Sequence, residues 1–145
     1  MNTINPLFKT RIQEYLKRQH FLNLIGFELE LIEPGETAGT LILKEEHQQQ
    51  TGLVHGGVTA TLADVVAGFA AYTLVPETHH VVTAELNVNY LHPGMGHRLR
   101  AKGRVVKSGS MINFCESEVW CDNDGESLLI AKASAIMVTV LPLTQ

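Results

Sequence analysis

The chain has 145 residues, 45% of them hydrophobic, and a formal net charge of -4. That length suits one compact domain with a substantial core, and the composition excludes a disordered chain. No block of Lys and Arg is present, so nucleic acid is not an expected partner. Residues 1–145 read as a single domain, with 1–25 as an N-terminal helical segment.

Phe8, Ile12, Tyr15 and Leu16 recur at helical spacing behind Pro6, which predicts one short amphipathic helix. Met1 to Phe21 holds five charged residues and no continuous apolar run, unlike a signal peptide. Phe27 to Ile32 reads as a strand, Pro34-Gly35-Glu36 as a turn, and Thr37 to Leu43 as the returning strand. Gln48 to Gly52 is a polar loop. Leu53 to Val75 is the only stretch long and apolar enough to compare with a membrane span. His55, Asp64, several threonines and three glycines make it a buried helix instead, ended by Pro76, so no membrane association is expected.

The remainder reads as strands. Val82, Ala84, Leu86, Val88 and Tyr90 alternate with Thr83, Glu85, Asn87 and Asn89, the pattern of a half-buried strand. Leu99 to Lys107 follows, then the turn Ser108-Gly109-Ser110, then Met111 to Cys121. Asp122-Asn123-Asp124-Gly125 reads as a hairpin turn and Ser127 to Leu141 as the last strand. Cys115 and Cys121, six apart on one strand, cannot bridge within it. They read as reduced packing residues, which fits a cytoplasmic location. A helix apolar on nearly every face needs cover on nearly every side. A curved antiparallel sheet wrapped around it gives that cover on one side, with the N-terminal helix or a partner subunit on the other. The class is α+β.

Chemistry concentrates at His55-Gly56-Gly57 and Asp64. Two glycines open the helix, where free amides and the helix dipole favour negative charge. An ionised carboxylate inside an apolar helix is costly unless it is paired or used. His55 and Asp64 are nine residues apart, about 900° of rotation and about 13 Å of rise, so on one straight helix they face opposite sides. If both serve one reaction, two chains must contribute, which implies a homodimer with two shared sites. Gly56 also reads as a tight-turn residue, Asp64 as a structural acid, and His55 as a loop-fixing residue.

These residues carry a resemblance. Gly52-Leu-Val-His-Gly-Gly, Leu62-Ala-Asp64, the strand end Asn87-Val-Asn-Tyr-Leu-His-Pro-Gly and the late Asp124-Gly125 hairpin resemble the hotdog-fold acyl-CoA thioesterases of the phenylacetate-pathway (PaaI-like) group. The match runs from about Gly26 to Val140. It implies the hotdog fold, a long central helix wrapped by a curved antiparallel sheet, and hydrolysis of an acyl-CoA to a carboxylic acid and CoA without a cofactor. It implies that the Gly56 amide polarises the thioester carbonyl and that Asp64 is the nucleophile or the general base. His55 then supports Gly56, Gly57 allows close backbone approach, and Gln49 orients the thioester or a water. Thr83 would contact substrate or water, and Ser108, Gly109 and Ser110 would contact the pantetheine or phosphates of CoA. The assembly implied is a homodimer, or a tetramer built from two.

The bland readings stand beside these: a solvated loop for Gln48-Gln49-Gln50, surface for Thr83, turn chemistry for 108–110. Lys102, Arg104 and Lys107 read as solvated surface or as phosphate contacts. Leu62, Val66, Phe69, Tyr72 and Tyr90 are candidates for an acyl pocket or for core. His79-His80, His92 and His97 show no metal-ligand spacing, so no metal is expected. Two rival functions are a hotdog hydratase or dehydratase and a non-catalytic acyl-CoA binder.

Overall fold

The computed structural model describes residues 1–142. The N-terminus forms two helices, α1 (Phe8–Leu16) and α2 (His20–Ile25), followed by β1 (Phe27–Glu33) and β2 (Glu36–Ile42). A 3₁₀ turn at Glu45–His47 and a loop lead into α3 (Gly56–Tyr72). Then come β3 (His80–Tyr90), β4 (Arg98–Ser108), β5 (Ile112–Asn123) and β6 (Glu126–Val140). The six strands form one antiparallel sheet in the order β1-β2-β4-β5-β6-β3. This is the hotdog arrangement, with α3 held in the hollow of the sheet.

The helix sits unusually close to the strands. A Cβ added at Gly103 of β4 would stand 2.4 Å from the Val66 carbonyl, so only glycine lets the two backbones approach there. Thr37 Oγ1 on β2 donates to the Val66 carbonyl at 2.7 Å and pins the same point. Leu62, Val66 and Ala70 are fully buried against the sheet, with Leu41, Leu99, Val119 and Ala131. The β5–β6 hairpin turns at Asp124 and Gly125, with φ of 46° and 83°, the two left-handed positions of a type I′ turn.

Three local features depart from the pattern in the sequence. The helix α2 follows α1 directly; six residues are too few for a periodic signal, and Gly26 in the left-handed region closes it. The central helix stops at Tyr72, before Pro76, because Thr73 takes over its end. The Thr73 hydroxyl donates to the Ala70 carbonyl and accepts from the Gly35 amide, both at 2.7 Å. Third, β3 is an edge strand with a bulge between Thr83 and Glu85. The bulge absorbs Ala84 and shifts the alternation. Val81, Leu86 and Val88 pack on the core, while Val82 is 49% exposed. The half-buried strand phased on Val82 is therefore corrected to a bulged, largely exposed edge. Asp122 lies at the end of β5 and not in the turn.

Candidate active site

His55 precedes α3 as its N-cap, with extended backbone. Its ring Nδ1 accepts the Gly57 amide at 2.9 Å, which leaves the proton of a neutral ring on Nε2. Its carbonyl accepts from Val58 and Thr59. His55 thus satisfies two of the four amides that a helix start leaves open, those of Gly57 and Val58, and a third, its own, donates to the His47 carbonyl at 2.9 Å. The Gly56 amide meets no acceptor among the described residues. Tyr90, from the far end of β3, donates its hydroxyl to the Gly56 carbonyl at 3.0 Å and braces the turn.

Gln49 lies beside this amide. It lines a depression of about 250 Å³ with Gly56, Thr59, Tyr90 and Pro93. Gln48 and Gln50 are exposed, and of the three glutamines Gln49 is the one that lines this depression. The loop is held by the Gln49 amide donating to the Leu53 carbonyl and by the Gly52 amide donating to the Gln49 carbonyl.

Asp64 lies two turns further along α3. It is half-buried, not sealed in the core, and it opens into a separate cleft of about 660 Å³. Thr83 Oγ1 donates to Asp64 Oδ1 at 2.8 Å. The bulge at Ala84 is what turns Thr83 inward: an unbroken alternation from Val82 to Tyr90 would have sent it to the outer face. Apart from Thr83, no described residue hydrogen-bonds the Asp64 carboxylate.

The placement of the residues singled out from the sequence is therefore clear. Thr83 and Asp64 come together, as do Gln49 and Gly56. His55 and Gly57 open instead onto a third hollow, lined also by Phe21, Leu24 and Val58. His55 and Asp64 do open on different sides, but His55 lies before the helix, so its angle is set by the cap. Gly56 is not opposite Asp64. Eight residues of helix set the two about 80° and about 12 Å apart, and both touch β3, near its two ends. Ser108, Gly109 and Ser110 form an exposed turn, with Ser108 Oγ donating to Asn113 Oδ1 at 2.8 Å. The register Ser108–Asn113–Met137–Thr83 puts this turn at the Asp64 end of the sheet, three strands across.

Of the acyl-pocket candidates, Phe69 and Tyr72 line the Asp64 cleft, Leu62 and Val66 belong to the core, and Tyr90 braces the helix start. Lys102 and Arg104 pair with Glu36 and Glu116 on the outer face of the sheet. That face also holds the one buried acid among the described residues, Asp122. Arg98 and Arg100 both donate to it, each with a bond of 2.9 Å or less. The Arg100 guanidinium, with Ser127 and Arg98, keeps the Asp122 carboxyl well below the usual carboxylate range against the effect of burial. Alternating Arg and Leu along β4 could have signalled this network. Cys115 and Cys121 are free and buried, and burial pushes the Cys115 thiol up to about 12. Among the described residues no group of three or more His, Cys, Asp or Glu could hold a metal ion, and no helix is long and apolar enough to cross a membrane.

A long helix wrapped by a six-stranded sheet, a free amide at the helix start and an acid within it define a hotdog-fold protein of the thioesterase type. The chain belongs to the Thioesterase superfamily, whose sequence pattern matches residues 51–128. It is similar to a thioesterase family protein from Silicibacter pomeroyi: TM-score 0.91, 27% identity, covering 93% of this chain and 99% of that one. It is 25% identical over 134 residues to human acyl-coenzyme A thioesterase 13, covering 91% of this chain and 94% of the relative. A Saccharolobus solfataricus protein whose name goes no further than esterase is 30% identical over 132 residues, 91% of this chain and 85% of the relative. Hydrolysis of thioesters is thus the activity of the family to which the chain belongs.

Proposed function

We propose that the protein is an acyl-CoA thioesterase that works as a homodimer, each of its two sites formed by both chains. The carrying observation is that the Asp64–Thr83 pair and the free Gly56 amide sit near opposite ends of the same unpaired strand edge. β3 offers eleven residues of open edge, with Val82 and Tyr90 about half exposed on it. A second copy pairing antiparallel with that edge covers it. With the two-fold axis between Leu86 and Asn87, Tyr90 of the partner subunit lies across from Thr83. The partner's Gly56 amide then approaches Asp64, and one thioester can meet both.

In such a site the Gly56 N–H donates to the thioester oxygen and stabilises the charge that develops there. The carboxylate of Asp64 delivers oxygen to the carbonyl carbon by one of two routes. In the first it takes a proton from a water that attacks; the C–S bond then breaks, and the proton passes to the CoA thiolate. In the second the carboxylate attacks, CoA thiolate leaves, and water cleaves the resulting anhydride. Thr83 holds Asp64 Oδ1 in both, and Gln49 orients the thioester from the amide side. The name of the human relative supports CoA as the thiol. The chemistry needs no cofactor, and a cytoplasmic location fits the two free cysteines.

Release of CoA thiol from a panel of acyl-CoA esters tests the reading. Turnover of at least one ester is expected. Tight binding without release would favour a non-catalytic binder, and hydration of an enoyl-CoA without release would favour a hydratase. A single turnover in ¹⁸O-water that leaves label in the Asp64 carboxylate marks the covalent route, since water then opened the anhydride on its Asp64 side.

A further inference from the structure

The cleft that holds Asp64 has a second polar pole. Asp64 and Tyr72 are eight residues apart on α3, about 12 Å of helix. Val65, Gly68 and Phe69 line the wall between them. Gly68 keeps this passage open: a Cβ there would meet only Met137 Cε, at 4.0 Å. Beyond it stand Tyr72, Tyr15, Arg18 and His80. Tyr15 and Tyr72 meet edge to face with ring centroids 5.4 Å apart, and Arg18 lies over the Tyr15 ring at 5.7 Å.

Arg11 closes this pole from behind. Its Cζ lies 5.1 Å from the Tyr72 ring centroid, and its Nη2 donates to Tyr15 Oη at 3.3 Å. Among the described residues its Nη1 is buried with no acceptor in reach, and the Tyr72 hydroxyl, next to that of Tyr15, has no partner of good geometry. Buried donors left without acceptors are costly, and a guanidinium more than most. Asp64 is the only acid that lines the cleft, and it stands at the other end. Glu14, the nearest acid in sequence, is exposed and bound to Lys17 at 2.7 Å. One end of the cleft therefore carries a carboxylate, the middle is apolar, and the far end holds Arg18 and the Tyr72 phenol, with Arg11 behind the two tyrosine rings.

We propose that this far pole binds a carboxylate at the end of the acyl chain, so that the preferred substrates are half-thioesters of medium-chain dicarboxylic acids with CoA. The inference rests on the thioesterase reading and names its acyl class. Arg18 meets the carboxylate at the cleft, the Tyr72 hydroxyl supplies a buried donor, and Arg11 stacks on the Tyr72 ring from behind and adds positive charge. An acyl chain with a methyl end fills the apolar middle and leaves that donor unpaired.

Two measurements on the full chain keep inference and reading apart. Isothermal titration with non-hydrolysable thioether analogues compares suberoyl-CoA with octanoyl-CoA, and adipoyl-CoA with hexanoyl-CoA. The carboxylated partner of each pair is expected to bind about tenfold more tightly or better. Arg18→Gln and Tyr72→Phe should each shrink that ratio by about tenfold. Arg18 is exposed, so its variant keeps the test in force if Tyr72→Phe fails to fold. Equal or weaker binding of the carboxylated analogues by the parent protein overturns the inference, as does a ratio that both variants retain. Thiol release from octanoyl-CoA with no carboxylate preference in binding leaves the thioesterase reading standing and this inference fallen. A carboxylate preference in binding with no release from any ester does the reverse.

Discussion

Asp64 and Asp122 lie on opposite sides of the same sheet and have opposite surroundings. Asp122, on the outer face, is nearly sealed and accepts from two arginines. Asp64, on the inner side, is half open and has one neutral partner, the Thr83 hydroxyl. A carboxylate matched by two guanidinium groups has little left to do except hold strands together. A carboxylate that keeps one oxygen free, at the wall of an apolar cleft, is available for reaction. The contrast teaches that burial alone does not single out a candidate catalytic acid; the count and charge of its partners separate Asp64 from Asp122.

The largest effect expected is on Asp64→Asn, which should lower thiol release by about 10²–10⁴-fold while leaving thermal unfolding unchanged. A folded Asp64→Asn protein with near-parental turnover would break the comparison outright. Next is Gly56→Pro. Proline suits the first helical position, His55 already has the extended backbone that a following proline demands, and the N–H is lost. A fall of about 10²–10³-fold in kcat is expected. Unfolding and refolding an equal mixture of Asp64→Asn and Gly56→Pro chains should restore roughly a quarter of parental activity, since random pairing makes half the dimers mixed, each with one intact site. No recovery, with both parents folded, would refute the shared site.

Thr83→Val should cost about tenfold in kcat, with Thr83→Ser restoring most of it, because only the hydroxyl holds Asp64 Oδ1. The smallest effect on turnover is expected from Asp122→Asn, which should leave kcat alone and lower Tm at neutral pH. Its folded carboxyl is held below the ordinary value of about 3.9, so its stabilisation is present above that pH and is lost as pH falls through the folded value. The Tm gap between parent and Asp122→Asn should therefore close as the pH is lowered below about 4. A gap that persists unchanged into strong acid would mean that Asp122 acts through packing.

Much of this was legible in the chain. The apolar run with Gly56-Gly57 at its head marked α3, and Asp124-Gly125 marked a hairpin, because left-handed turn positions select such residues. The free amide at Gly56 followed from helix-start chemistry, yet its being the sole one left depends on how the His55 ring turns. Thr83 was ambiguous because a bulge at Ala84 reverses the facing of the whole strand half, and a one-residue irregularity leaves no mark in the alternation. Asp122 was hidden in a turn-like string, since its partners Arg98 and Arg100 come from a neighbouring strand more than twenty residues away. The second pole of the cleft needed α1 and α3 brought together, and nothing in the spacing of Arg11 and Tyr72 announces that meeting.

The cap at His55 has one more consequence. A helix start with three or four open amides grips multidentate anions such as phosphate. Here three are met, two by His55 and one by the His47 carbonyl, and the single N–H of Gly56 is left. Such a start can hold one oxygen and offers nothing to a second. A thioester carbonyl presents one oxygen, whereas the carboxylate made by hydrolysis presents two and a full charge that faces Asp64. In the proposed site the cap that prepares the amide for the substrate should thus hold the product poorly, and a product inhibition constant well above the substrate KM is the expected result.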